Sequence, residues 1–201
     1  GVAAGSPWRA ASGDRMKPGK ASRTAEYMAL FRALESTRPA GRRLFADPFA
    51  LAFLSPRLRR LAVLSRVRPA GSLMRAYIDR RWPGARTSAV ARTRYLDEAA
   101  AAALGSGVTQ VVLLGAGFDA RAYRLDGMTR AEVFEVDHPA TSGAKRMIVE
   151  GLLGSAPRHV RFVPVDFDRE PLPAAIAAAG YDPRRRTLFI WEGVTNYLTE
   201  Q

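Results

Sequence analysis

At Gly107 the hydrophobic pattern of the chain changes period, so its two sides are expected to fold differently. Downstream, apolar β-rich residues come in short runs at Val111 to Leu114, Glu132 to Val136, Val160 to Val165 and Thr187 to Trp191. Runs of this kind suit strands covered on both faces. About 20 residues separate one run from the next, enough for a crossover between parallel strands. The second half therefore reads as an α/β sheet.

Upstream the period is helical. From Thr24, residues Ala25, Met28, Ala29, Phe31 and Leu34 fall on one stripe that ends before Pro39. Asp47-Pro48 has the form of an N-cap with proline in the first turn, predicting a short helix through Phe49, Leu51 and Phe53. Pro56 opens another helix, with Leu58, Leu61, Leu64 and Val67 as its apolar side and Arg57, Arg59, Arg60, Arg66 and Arg68 on or near the polar side. Gly71 to Trp82 and Ala89 to Leu104 complete the set, the last one stopped by Gly105 and Gly107. Residues 1–22 mix Gly, Pro, Ser and charge without period and read as a mobile tail. The expected division is a tail (1–22), a helical lead-in or lid (23–106) and the sheet (107–201).

A net charge of +12 invites a nucleic-acid reading until it is located. Residues 1–100 carry 20 Arg and Lys against 7 Asp and Glu, the remainder 11 against 12. Only Lys17, Lys20 and Lys145 are lysines, and an arginine- and alanine-rich composition also follows from a GC-rich genome. The first half has neither interleaved aromatics nor a helix-turn-helix or zinc pattern, so a nucleic-acid partner is not expected. The absence of cysteine removes disulfides, thiolate metal sites and a cysteine nucleophile, and agrees with a cytoplasmic setting. No stretch approaches the roughly 20 apolar residues of a span, so no membrane partner is expected. His138 and His159 are the only histidines, and no metal cluster is visible.

The chemistry gathers where strands end. The first run passes straight into Gly115-Ala116-Gly117-Phe118-Asp119, a bend in which glycines allow a tight turn and close approach to a ligand. The second ends Glu135-Val136-Asp137-His138-Pro139, about 20 residues on, where a carboxylate can accept both ribose hydroxyls of an adenosine. Asp137 is preferred over Glu135, which lies a pleat further back. A helix N-cap before Pro139 is the alternative role for Asp137. The third ends Val165-Asp166-Phe167, a carboxylate and a ring that can border an adenine. Gly115, Asp137 and Asp166 thus fall at the carboxyl ends of successive strands, the edge at which open α/β sheets bind ligands. The fourth run ends Trp191-Glu192, a further acid at that edge.

With these residues assembled, the chain resembles the leucine carboxyl methyltransferase family, above all its bacterial branch of S-adenosylmethionine-dependent methyltransferases. The resemblance is carried by GAGFDARAYRL from Gly115, FEVDHP from Phe134, VPVDF from Val163 and LFIWEGVTNYLT from Leu188, and upstream by LFADPFA from Leu44 and ARTRYLDE from Ala91. It implies a Rossmann-like methyltransferase fold with a helical N-terminal lid and S-adenosyl-L-methionine as cofactor. By the same resemblance, Gly115 and Gly117 pass under the methionine and sugar, Asp137 binds the ribose, and Asp166 with Phe167 borders the adenine. Arg92 meets the cofactor carboxylate and Glu192 faces its amino-acid end. Arg121 and Tyr123 share the motif, with a part in fixing the loop. The acceptor implied is a carboxyl or hydroxyl oxygen on a small molecule, or a protein C-terminus. Methyl transfer asks mainly for alignment and exclusion of water, so no catalytic residue is assigned.

Members of that family carry further strands after the fourth. The chain opens at Gly1 and halts at Gln201, so it reads as a partial chain whose own activity is open. Two other readings remain. Gly115-x-Gly117-x-x-Ala120 with a downstream acid also meets the fingerprint of a nicotinamide-dependent oxidoreductase, against which Asp119 would repel a pyrophosphate. The weaker one is a basic nucleic-acid-binding module.

Overall fold

The computed structural model describes residues 23–167 and 169–192. The expected tail at 1–22, and the part of the fourth motif beyond Glu192, lie outside the described residues. Among the described residues, four strands form one parallel sheet: β1 (Gln110–Leu114), β2 (Glu132–Asp137), β3 (Val160–Pro164) and β4 (Thr187–Trp191), in the order β3-β2-β1-β4. All four match the apolar runs to within about a residue at each end, as β-rich runs with buried flanks should.

Succession β1 to β3 runs one way and β4 returns to the other side of β1, so direction reverses between β1 and β4. Right-handed crossovers then put the first two connections on one face and the third on the other. The packing follows that rule. Val111, Leu113 and Val133 meet Ala122 of α5 (Arg121–Arg124) and Ala100 of α4 (Ala85–Gly105), whereas Val112, Phe134 and Val136 meet Ile176 of α7 (Leu172–Ala178). Gln110 sits fully buried at the start of β1, bonded through its amide to the backbone of Asp182 on both sides and to Thr187.

A second core lies in the lead-in. Leu30, Phe31 and Leu34 of α1 (Arg23–Ser36) pack with Phe53, Leu54, Phe118 and Val149, the last from α6 (Pro139–Leu153). The lead-in is therefore fused to the glycine bend, and the Phe53 and Phe118 rings stack at 5.0 Å.

Two expectations fail here. The short helix after Asp47 is absent: residues 48–54 form only turns, although Asp47 does cap them, accepting from the N–H groups of Phe49 (2.9 Å) and Ala50 (3.0 Å). Phe53 is drawn into the core against Phe118, and Pro56 opens its own helix, which leaves too few residues to propagate a turn into a helix. The helix α2 (Pro56–Leu64) forms, but it buries only Ala62, while Leu61, Leu64 and the following Val67 are exposed. Its partner α3 (Arg68–Arg81) comes so close that a Cβ at Gly71 would lie 2.1 Å from the Ser65 carbonyl oxygen, so small residues rather than leucines make that contact. Among the described residues no helix is long and apolar enough to cross a membrane.

Candidate functional site

Because the sheet is parallel and in register, its carboxyl ends form one rim. Leu114 pairs with Val136 and with Trp191, and Asp137 pairs with Pro164. The residues that follow these positions bring Asp166, Asp137, Gly115 and Glu192 to the rim in that order. Three strand spacings separate the first from the last, about 14 Å in all. Reversal of strand order between β1 and β4 places the crevice of an open sheet between Gly115 and Glu192.

Asp137 is the best-defined member. One oxygen accepts from the Gly117 N–H and the other from the His138 N–H at 2.7 Å. Each carboxylate oxygen keeps a further acceptor position, so both remain able to take a hydroxyl. The N-cap of α6 is His138, whose Nδ1 accepts from the Ala140 N–H, so the alternative cap role for Asp137 is not the one adopted. Burial pushes the Asp137 carboxyl above the usual aspartate range, against the pull of the two N–H groups. Glu135, one pleat back, is sealed in with Lys145 of α6 at 2.9 Å and the Tyr123 hydroxyl at 2.8 Å, which removes it from the rim.

The glycines serve a purpose the sequence does not disclose. Gly115 and Gly117 have φ of 63° and 47°, in the region that disfavours a side chain. A Cβ at Gly117 would stand 3.2 Å from the Ala25 Cβ, so the missing side chain there admits helix α1. The Gly117 N–H, which in a pyrophosphate site would point at the phosphates, is already held by Asp137.

Asp119 also differs from expectation. It does not face outward to repel an anion: it accepts from the Arg121 N–H and pairs with the Arg121 guanidinium at 2.5 Å. Burial raises its carboxyl, and the charges of Arg121 and Arg32 outweigh that, holding it well below the usual range. The case against a dinucleotide therefore rests on the engaged Gly117 amide, and on α5, whose 4 residues give no extended N-terminus.

Arg121 is the centre of the polar architecture. It is 2% exposed and bonded to Asp97 (2.9 Å), Asp119 and Glu192 (3.0 Å). Desolvation works against its charge, and the three acids more than compensate, raising its pKa further. Arg124 completes Asp97 with contacts of 2.7 and 2.8 Å, while Arg32 joins Asp47 (2.8 Å) to the Phe118 carbonyl oxygen. Asp97 was detectable in outline: it lies on the buried stripe Ala89, Thr93, Ala100 of α4, where a carboxylate requires a cation. Lys145 gave no such signal.

Arg92 and Glu192 do meet. The Arg92 Nε donates to Glu192 at 2.8 Å, and the other Glu192 oxygen is held by Arg121. Asp166 and Phe167 are half-buried beyond β3, the ring packed with Val163, Val165 and Leu172. Two hollows of roughly 290 and 310 Å³ lie elsewhere, one between Phe53, Phe118 and Ile148, the other between Ala33, Asp47 and Arg66; none of the predicted cofactor residues lines either. His159 is engaged by the Ala122 carbonyl oxygen at 2.9 Å. Among the described residues no group of acids and histidines could hold a metal ion.

The sequence profile of the family "Leucine carboxyl methyltransferase" matches residues 25–201. A protein of Frankia alni is 42% identical over 184 residues, covering 92% of this chain and 62% of its own length. Relatives in Rhodococcus jostii (39% identical, 87% of this chain, 56% of the relative) and Streptomyces avermitilis (38%, 93% and 63%) are similar. Each carries "S-adenosyl-L-methionine-dependent methyltransferase" in its name. The chain thus spans between 56% and 63% of the length of these curated relatives.

Proposed function

The chain belongs to the leucine carboxyl methyltransferase family, and on that premise we propose that it is the cofactor-binding part of an S-adenosyl-L-methionine-dependent methyltransferase acting on an oxygen of a small molecule. The observation that carries this reading is Asp137, fixed by two backbone N–H groups between the glycine bend and Asp166, with acceptor capacity left on both oxygens. In this role it takes the two ribose hydroxyls. Asp166 and Phe167 border the adenine, and the Gly115 to Gly117 backbone runs beneath the sugar and the methionine.

At the β4 end, Arg92 and Glu192 satisfy one another. A methionine zwitterion offers a carboxylate to the first and an ammonium to the second, so their ion pair can open into two without leaving a charge unmatched. Arg121 keeps hold of Glu192 throughout, limiting how far it must move.

The cofactor supplies a methyl group already activated on a sulfonium. What remains for the protein is to align the acceptor and exclude water. A carboxylate acceptor needs no base, whereas a hydroxyl does. Among the described residues, His138 caps α6 through Nδ1 and His159 bonds the Ala122 carbonyl oxygen through Nε2, so neither is assigned as a base.

Calorimetric titration of the chain with S-adenosylhomocysteine, with NAD as control, tests the reading. Binding of the first that is lost in Asp137→Ala supports it. Binding of NAD alone, or affinity unchanged by that substitution, overturns it.

A further inference from the structure

The hairpin of α2 and α3 exposes cations and large apolar side chains together. Between Ser55 and Trp82 there are eight arginines, at 57, 59, 60, 66, 68, 75, 80 and 81, and one carboxylate, Asp79. Asp79 is taken by Arg86, at 2.6 and 2.9 Å. Arg59 is spent on the carbonyl oxygens of Leu51 and Ala52, and Arg81 lies over the Trp82 ring. Arg57, Arg60, Arg66, Arg68 and Arg80 are exposed and have no carboxylate partner among the described residues.

Interleaved with these cations are large apolar side chains in water. Leu61 is 45% exposed, Leu64 54%, Val67 55%, Leu73 71% and Tyr77 65%. Helical spacing puts Arg57, Leu61 and Leu64 on one face of α2, and Leu73, Tyr77 and Arg80 on one face of α3. Neither face is the one buried against the body, which is marked by Ala62 in α2 and by Gly71 and Ile78 in α3. Scattered exposed leucines need no explanation, but a run of large apolar side chains exposed between Leu61 and Tyr77, set among unpaired cations in the same two helices, does.

From this combination we infer that the α2–α3 hairpin docks on an anionic phospholipid surface. Guanidinium groups engage lipid phosphates in pairs of hydrogen bonds, and aliphatic and tyrosyl side chains enter the boundary between headgroups and acyl chains. Charge complementarity selects the occupant: one acid, already paired, faces five open guanidiniums. A nucleic acid would satisfy the arginines and leave Leu61, Leu64 and Leu73 against phosphate or water, so the apolar residues favour a bilayer. The contact is peripheral and does not depend on the cofactor rim, none of whose residues belongs to the hairpin.

Cosedimentation of the chain with vesicles of phosphatidylglycerol and phosphatidylcholine, compared with phosphatidylcholine alone, tests this. Retention on the anionic vesicles only is expected, falling about tenfold in Leu73→Glu/Tyr77→Glu and in Arg60→Glu/Arg68→Glu. All four residues are exposed, and unchanged thermal unfolding shows that the variants fold. Equal retention on both vesicle types, no retention, or full retention by the leucine–tyrosine variant overturns the proposal. So does duplex DNA displacing the vesicles without loss in that variant, or a dimer in sizing chromatography that the same variant dissolves.

Discussion

The Asp137 carboxylate divides its lone pairs between its own backbone surroundings and the rim, and this makes its ionisation matter. Burial raises its pKa above the ordinary 3.8. If ribose hydroxyls donate to the ionised form, affinity for S-adenosylhomocysteine is lost as pH falls through the raised pKa, beginning at higher pH than an ordinary aspartate would give. Calorimetry across the acid range should show that decline in the native chain and a weak, flat affinity in Asp137→Asn. Gly117 is constrained twice, by φ of 47° and by Ala25 at 3.2 Å. Gly117→Ala should cost about 1–2 kcal/mol in urea denaturation from the left-handed backbone alone. Ala25→Gly in the same chain should relieve only the crowding.

Among the elements, α4 and the glycine bend are joined by charge as well as by apolar contact. Arg121, buried between Asp97, Asp119 and Glu192, is the joint. Arg121→Met removes the ion-pair partner of Asp119 and leaves Asp97 to Arg124 and Glu192 to Arg92, a loss of about 3–5 kcal/mol by the measure of broken buried pairs. Asp97→Asn, which keeps the shape and the acceptor facing Arg121 but sets an amide N–H against an Arg124 donor, should lose less, and comparing the two in denaturant separates removal of the cation from loss of one carboxylate charge. The turn at 48–54 shows the same division of labour. Asp47 caps it as the residue type suggests, but the Phe53 and Phe118 stack fixes where the chain goes next.

For the molecule as a whole, acid should loosen the union of lead-in and sheet. The Asp119 carboxyl is held below its ordinary 3.8 by Arg121 and Arg32 against the opposing effect of burial. A depressed folded pKa contributes stability that is fully present above 3.8 and is lost as pH falls further toward the folded value. Urea denaturation at a series of acid pH values should show that loss, and a smaller one in Asp119→Asn. The strands, their order along the chain and the rim residues could all be read from the sequence, since apolar runs and the residues that end them are local patterns with one solution in a parallel sheet. Asp97 was half legible, as an acid on a buried stripe. Lys145, the pairing of Asp119 with Arg121, the α1 helix seated on Gly117 and the exposed leucines of α2 were not, because each depends on which distant surface arrives opposite a residue. Periodicity tells a side chain's direction along its own element. Only the packed fold decides whether that direction leads to a partner, to a core or to water.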